Sequence, residues 1–200
     1  MLSPIDLSKL TPGFSDPVQG SQQTFRAMLD AMAHPGKIVS IYKFLSPPTP
    51  MNPASAAVCM TLIDFDTTLW TDLKPGSKGV DWLRFHCGCP ISADPSKAVF
   101  ALITRSDEIP ILNKFNTGSD ECPESSTTLI MQTEGLSSTD GIRLTGPGIE
   151  TFLTLKTGGL TKRFWQERQH QFDRFPLGVD ILFTWENKLA ALPRATKAEG

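Results

Sequence analysis

The sequence predicts a single layered α/β domain built on a mixed β-sheet, with α+β as the other arrangement open to the same elements. Three observations carry this. Segments with helical periodicity alternate with short β-branched runs along most of the chain, the pattern of sheets covered by helices. The last two strands read as a hairpin, which a wholly parallel sheet cannot contain. The chain has 200 residues, 40% of them apolar and 20% charged, the size and composition of one globular domain with a real core.

Residues 1–17, with their Ser, Pro and Gly, read as a loose arm, residues 18–195 as the domain and residues 196–200 as a frayed tail. Residues 19–33 predict a helix whose apolar stripe is Phe25, Met28, Leu29 and Met32, stopped by Pro35-Gly36. Residues 37–44 are strand-like, and the prolines of 46–50 make a stiff loop. Asn52 as N-cap and Pro53 at the first helical position open a second helix running to Ile63. A turn over 64–68 leads to a short strand at Leu69-Trp70. A helix over 79–86 turns Val80, Trp82 and Leu83 inward. A strand over 99–104, a short helix over 108–115 and a strand over 127–132 follow. Residues 142–145 and 151–155 predict two more strands, separated by a turn at Gly146-Pro-Gly148. Residues 161–171 predict a polar-faced helix with Phe164, Trp165 and Phe172 on its apolar side. Val179, Ile181, Leu182 and Phe183 have the composition of a strand buried on both faces. Glu186-Asn187-Lys188 turns that strand into a partner over 189–192, and Pro193 ends the hairpin.

Composition excludes several function classes. A net charge of −2 gives no electrostatic reason to bind nucleic acid or an anionic membrane. No apolar run approaches the roughly 20 residues of a membrane span, and residues 1–17 lack the pattern of a secretory signal, so a cytoplasmic protein is expected. Its four cysteines, Cys59, Cys87, Cys89 and Cys122, are then expected as free thiols. There is no P-loop, no nucleophile elbow and no zinc helix of the His-Glu-x-x-His kind.

Four sets of residues stand out. Arg84-Phe-His-Cys-Gly-Cys89 is the densest polar cluster. His86, Cys87 and Cys89 are three soft ligands where a closed zinc site wants four, so no metal is expected. Arg84 and His86 either hydrogen-bond locally at a helix end or face a shared surface that engages a carboxylate or phosphate. Asp64 and Asp66, two residues apart, either cap a turn or hold a cation or divide acid and base roles. Asp180 sits inside the apolar run of the buried strand and needs a partner, for which Arg194 is a candidate. His34 reads as a helix-end histidine and His170 as solvated.

Taken in order, the blocks Phe25-Arg26, Leu29, Ala31-Met32, Pro35-Gly36, Thr61-Leu-Ile-Asp64 with Asp66-Thr67, and Leu83-Arg-Phe-His86 continue into Arg143-Leu-Thr-Gly-Pro-Gly-Ile149, Phe175-Pro-Leu-Gly-Val-Asp180 and Leu192-Pro-Arg194. This series resembles the PhnH family, a subunit of the bacterial carbon–phosphorus lyase core complex. Residues 105–126 and 135–141 carry no block and read as variable loops. The resemblance implies a three-layer α/β domain with a mixed sheet flanked by helices, similar to the large domain of pyridoxal-phosphate-dependent transferases but without that cofactor. It implies an accessory subunit, with no catalytic residue of its own, of a ribosyl-triphosphate transferase in alkylphosphonate catabolism that forms ribose 1-alkylphosphonate 5-triphosphate from a purine nucleoside triphosphate and a phosphonate. The implied partners are the G, I and J subunits, and the isolated chain is expected to pair as a homodimer. Arg26, Asp64, Asp66, Arg84, His86, Asp180 and Arg194 are then candidate ligand- or interface-binding residues. Two other readings stay open: a binding module for phosphonate or nucleotide, and an autonomous enzyme with its site around Asp64, Arg84 and His86.

Overall fold

The computed structural model describes residues 10–42, 44–106 and 108–199. Its centre is the strand expected to be buried on both faces, β8 (Asp180–Trp185), in which Ile181, Leu182 and Phe183 are all buried. It pairs in parallel with β5 (Thr128–Gln132) and antiparallel with β9 (Lys188–Leu192) through the expected hairpin. Beyond β5 come β4 (Phe100–Ile103), β2 (Leu69–Thr71) and β3 (Ile91–Ser92), all parallel, and beyond β9 lies β1 (Val39–Ser40). The result is a seven-stranded mixed sheet ordered β1-β9-β8-β5-β4-β2-β3. Both of its edges are strands of two residues, and β3 is flanked by Pro90 and Pro95.

Side-chain alternation along the strands divides the core between the two faces of this sheet. Leu102, Ile130, Leu182, Leu189 and Ala191 face a layer of three helices, α1 (Pro17–Ala33), α2 (Pro53–Leu62) and α3 (Lys78–Cys87). Ala101, Ile103, Leu129, Met131, Ile181, Phe183, Ala190 and Leu192 face the other way. That second face is covered by a helix, α4 (Lys162–Phe172), and by a three-stranded antiparallel sheet of β6 (Leu136–Thr145), β7 (Leu153–Thr157) and β10 (Lys197–Glu199). The flanking layers are thus not helices alone. β6, β7 and α4 all lie in the connection from β5 to β8.

Several expectations are corrected. In α1 the buried residues are Gly20, Thr24, Met28 and Ala31, whereas Phe25 and Leu29 are 46% and 53% exposed. The small residues win because they let the helix come close: a Cβ on Gly20 would lie 2.6 Å from the Phe14 ring. Phe14 itself is buried and Asp16 caps α1, so this part of the expected loose arm is packed; residues 1–9 lie outside the described residues. The expected tail carries β10, with Thr196 and Ala198 buried. The strand over 37–44 shrinks to β1, with Lys43 outside the described residues. The helix over 108–115, interrupted by Pro110, is reduced to a 3-10 turn at Leu112–Lys114. Part of the loop expected over 135–141 is instead the first half of β6. The inner face of α4 includes Arg168 and Gln171 beside Phe164, while Trp165 and Phe172 are only partly buried.

Candidate functional site

The parallel strands run the same way, and the connections out of β2 and β4 leave toward opposite ends of the sheet. Just outside the carboxyl ends of strands at such a switch point, open α/β sheets leave a crevice. Here it is a cleft of about 590 Å³, lined among others by Asn52, Thr104, Arg105, Gln132, Glu134 and Glu186.

Each part of the cleft is held by the end of a strand. Asp72 directly follows β2, and its carboxylate accepts hydrogen bonds from the Thr104 amide at 2.9 and 3.0 Å, from Thr104 Oγ1 at 2.9 Å and from the Arg105 amide at 3.0 Å. This fastens the loop after β4 to the loop after β2. Arg105 extends from it, paired with Glu108 at 2.6 Å and half exposed. Gln132, the last residue of β5, is buried and spends its whole amide. Its Oε1 accepts from the Asn52 amide at 2.5 Å and from Ser55 Oγ at 2.7 Å, and its Nε2 donates to the Pro50 carbonyl at 2.9 Å. Glu134 follows two residues later, exposed, against the Gly158-Gly159 turn. Gly159 has φ +83°, and a Cβ there would sit 2.2 Å from Ser106 Oγ, so the wall of the cleft requires glycine. Trp185 ends β8, and Glu186, in the hairpin turn, has φ 51°, the left-handed region that a glutamate enters only at a cost.

The start of α2 also borders this cleft, yet it offers no anion cradle. The Asn52 amide goes to Gln132, Pro53 has no N–H, the Ala54 amide donates to the Glu186 carbonyl at 2.9 Å and the Ser55 amide to Asn52 Oδ1 at 2.8 Å. A ligand here would be held by side chains: the Arg105 guanidinium, the Glu134 and Glu186 carboxylates, and hydroxyls of Thr104 and Ser106. Among the described residues no histidine, cysteine or lysine lines the cleft, which leaves the hydroxyls and carboxylates as its reactive side chains and gives it no amine for a Schiff base.

The residues singled out from the sequence lie elsewhere. Asp64 and Asp66 are exposed in the turn after α2, where Asp64 Oδ1 accepts from the Asp66 amide at 3.0 Å and the Thr67 amide at 3.1 Å; the turn reading holds for Asp64. His86 is in the last turn of α3, its Nε2 3.1 Å from the Thr11 carbonyl, which also accepts from Trp82 Nε1 at 2.9 Å. The bond is not the local one that the helix-end reading expected; it reaches a residue 75 positions away and fixes the segment before α1. Arg84 stands on the same helix, partly buried, and Arg26 is exposed on α1. Cys59, Cys87 and Cys89 are buried free thiols, and Cys122 is exposed. Among the described residues no group of three or more His, Cys, Asp or Glu is arranged to hold a metal ion.

Asp180, the first residue of β8, does pair with Arg194. Arg194 Nη2 donates to Oδ2 at 2.6 Å and its amide to Oδ1 at 2.7 Å, while Nη1 donates to the Pro123 carbonyl. Arg168 is buried beside this pair and donates to the carbonyls of Pro193 at 2.6 Å and Thr196 at 3.2 Å. Burial pushes its guanidinium down to about 10, against the opposing charge of Asp180. These groups clasp α4 and the segment after β9 to the start of β8. They do not converge with Asp64, Arg84 or His86 on one site.

Fold and cleft define a class: a mixed α/β sheet with an open polar crevice at its carboxyl edge. The sequence model of the family described as bacterial phosphonate metabolism protein (PhnH) matches residues 12–199, and this chain belongs to that family. It is 33% identical over 189 residues to the alpha-D-ribose 1-methylphosphonate 5-triphosphate synthase subunit PhnH of Rhizobium meliloti (strain 1021), covering 93% of this chain and 94% of that protein. It is 30% identical over 175 residues to a putative C-P lyase subunit protein, HtxG, of Stutzerimonas stutzeri, covering 88% of this chain and 84% of that one.

Proposed function

We propose that this chain is an accessory, non-catalytic subunit of a multi-subunit carbon–phosphorus lyase complex. In this reading the assembly, built with the G, I and J subunits, forms a ribose 1-alkylphosphonate 5-triphosphate from a purine nucleoside triphosphate and a phosphonate. The observation that carries the reading is the likeness, across 94% of its length, to a protein named as a subunit of ribose 1-methylphosphonate 5-triphosphate synthase. The engagement of the helix-terminal amides beside the cleft, and a lining without histidine, cysteine or lysine among the described residues, support a supporting rather than a chemical role. The reading includes a cytoplasmic location, no cofactor, and a likeness to the large domain of pyridoxal-phosphate-dependent transferases.

The test is release of free purine base from ATP or GTP with methylphosphonate. Release by the partner subunits that falls when this chain is left out, with none from this chain alone, is the expected result. Base release by the isolated chain, abolished by Arg84→Ala or Asp64→Ala, would overturn it. The reading also holds that the isolated chain pairs with itself, for which the exposed Val18, Phe25 and Leu29 of α1 supply apolar surface. Light scattering should give a dimer at micromolar concentration, and a strict monomer would count against that part. The cleft favours a second reading, in which the subunit binds a small ligand. Calorimetric titration with methylphosphonate and with ATP, repeated on Arg105→Ala, decides it.

A further inference from the structure

Where α4 meets the start of β8, a knot of buried polar side chains keeps hydrogen-bond donors that no described residue answers. Arg168, Gln171 and Thr196 are 0%, 2% and 1% exposed. Arg168 Nη2 is taken by the carbonyls of Pro193 and Thr196. Arg168 Nε and Nη1, Gln171 Nε2 and Thr196 Oγ1 are buried without a partner among the described residues. These atoms belong to one place, because Arg168 and Gln171 lie three residues apart on the same face of α4 and Arg168 holds the Thr196 carbonyl at 3.2 Å. The Val179 amide donates to Gln171 Oε1 at 3.4 Å, which fixes the amide's orientation and leaves Nε2 as its unmatched end. There is room as well. Gly178 is buried beside the knot, and a Cβ built on it would meet nothing nearer than Arg194 Cβ at 3.6 Å and Gln171 Cβ at 3.8 Å, so a gap of atomic size lies between them.

We infer that this knot binds a halide-sized anion such as chloride, held by an unmatched N–H of Arg168 and by Gln171 Nε2. Two arguments select an anion over water. The first is the kind of atom left over: three nitrogen donors and one hydroxyl, with no side-chain acceptor among them. A water molecule would accept from some of these donors but bring hydrogens of its own that need acceptors, whereas an anion only accepts. The second is charge. Arg168 and Arg194 bring two positive charges to the knot, and the negative charge acting on Arg168 is that of Asp180. Asp180 is already bonded to Arg194 through the Arg194 amide, Nε and Nη2, so a buried guanidinium is left without a counter-ion in contact, a costly state. The anion supplies that counter-ion and completes the clasp between α4, the segment after β9 and the start of β8, away from the cleft at the carboxyl edge.

The experiment follows thermal unfolding of the full chain at constant sodium concentration while chloride, or bromide, replaces methanesulfonate. The melting temperature should rise by roughly 4 °C or more between about 1 and about 300 mM halide, as ligand linkage requires. Gln171→Glu keeps an oxygen for the Val179 amide and puts a carboxylate where the anion sits, so this variant should lose the halide response. Crystals grown with bromide should show anomalous density within about 3.5 Å of an Arg168 nitrogen and of Gln171 Nε2. Melting temperatures that coincide in halide and methanesulfonate would overturn the assignment, as would a bromide map with only water in the knot or a Gln171→Glu variant that keeps the full response. The wild-type curves and map decide the question even where the variant fails to fold.

Discussion

At the amino-terminal edge of the large sheet, charged side chains bond one another and the backbone, although Arg168 does so through Nη2 alone and keeps Nε and Nη1 buried without a partner. Asp180 is closed by Arg194, Arg168 by two carbonyls, and Asp64 by its own turn. At the carboxyl-terminal edge the division of labour is different. Asp72 and Gln132, both largely buried, are fully engaged in fixing the loops, and what they fix are the half-exposed Arg105 and the exposed Glu134 and Glu186 around an open cleft. The comparison teaches that a striking residue type is a poor guide to function. What matters is which end of a strand the residue follows, because the carboxyl edge of this sheet leaves a cleft in front of the polar groups that follow β4, β5 and β8.

The strongest way to break this contrast is Asp180→Ala. It leaves Arg194 unpaired in a mostly buried position and should destabilise the protein by about 2–5 kcal/mol in denaturant melts, without altering any affinity measured at the cleft. An unchanged midpoint would remove the structural role given to the amino edge. Gln132→Leu should come next, at about 1–3 kcal/mol, because it takes their partner from the Asn52 amide and the Pro50 carbonyl. Unlike the first variant, it should also disturb ligand titration, since it loosens the start of α2 beside the cleft. Glu186→Gly should go the other way. Relieving the left-handed glutamate gains about 1 kcal/mol, part of which is lost to the greater freedom of glycine in the unfolded chain, so the melting temperature should hold or rise slightly. A clear drop would show that the Glu186 side chain is structural. Smallest of all, Glu134→Gln and Asp66→Ala should each stay within about 0.5 kcal/mol of the wild type. Only Glu134→Gln should change binding at the cleft, and a binding change from Asp66→Ala would reverse the roles of the two edges.

Much of the fold was legible because its signals are local. Asn52-Pro53 marks the start of α2 within one residue, and the run around Ile181 with its polar turn marks the β8–β9 hairpin. What was illegible depends on distant partners. Nothing near residue 198 announces that it will pair with Leu144, and nothing in α1 says that Gly20 and Thr24, rather than Phe25 and Leu29, will meet the rest of the protein. The cleft escaped for the same reason. Its residues come from the ends of separate strands and share no motif, although Asp72, Thr104-Arg105, Gln132-Thr133-Glu134 and Trp185-Glu186 each directly follow or close a strand that the sequence did predict. Reading polar residues against strand ends, rather than by their own clustering, would have found them. The Asp180–Arg194 pair was legible because a carboxylate inside an apolar run demands a partner.

The two outer strands of the large sheet bear on how such a chain can join an assembly. β1 and β3 each contribute only two residues, and prolines stand on both sides of β3. A neighbour's strand laid along either border would find too few free backbone groups to extend the ladder, which also guards against runaway edge-to-edge stacking. Recruitment along these two borders is thereby disfavoured, which leaves helices, loops and the outer strands of the smaller sheet to meet a partner.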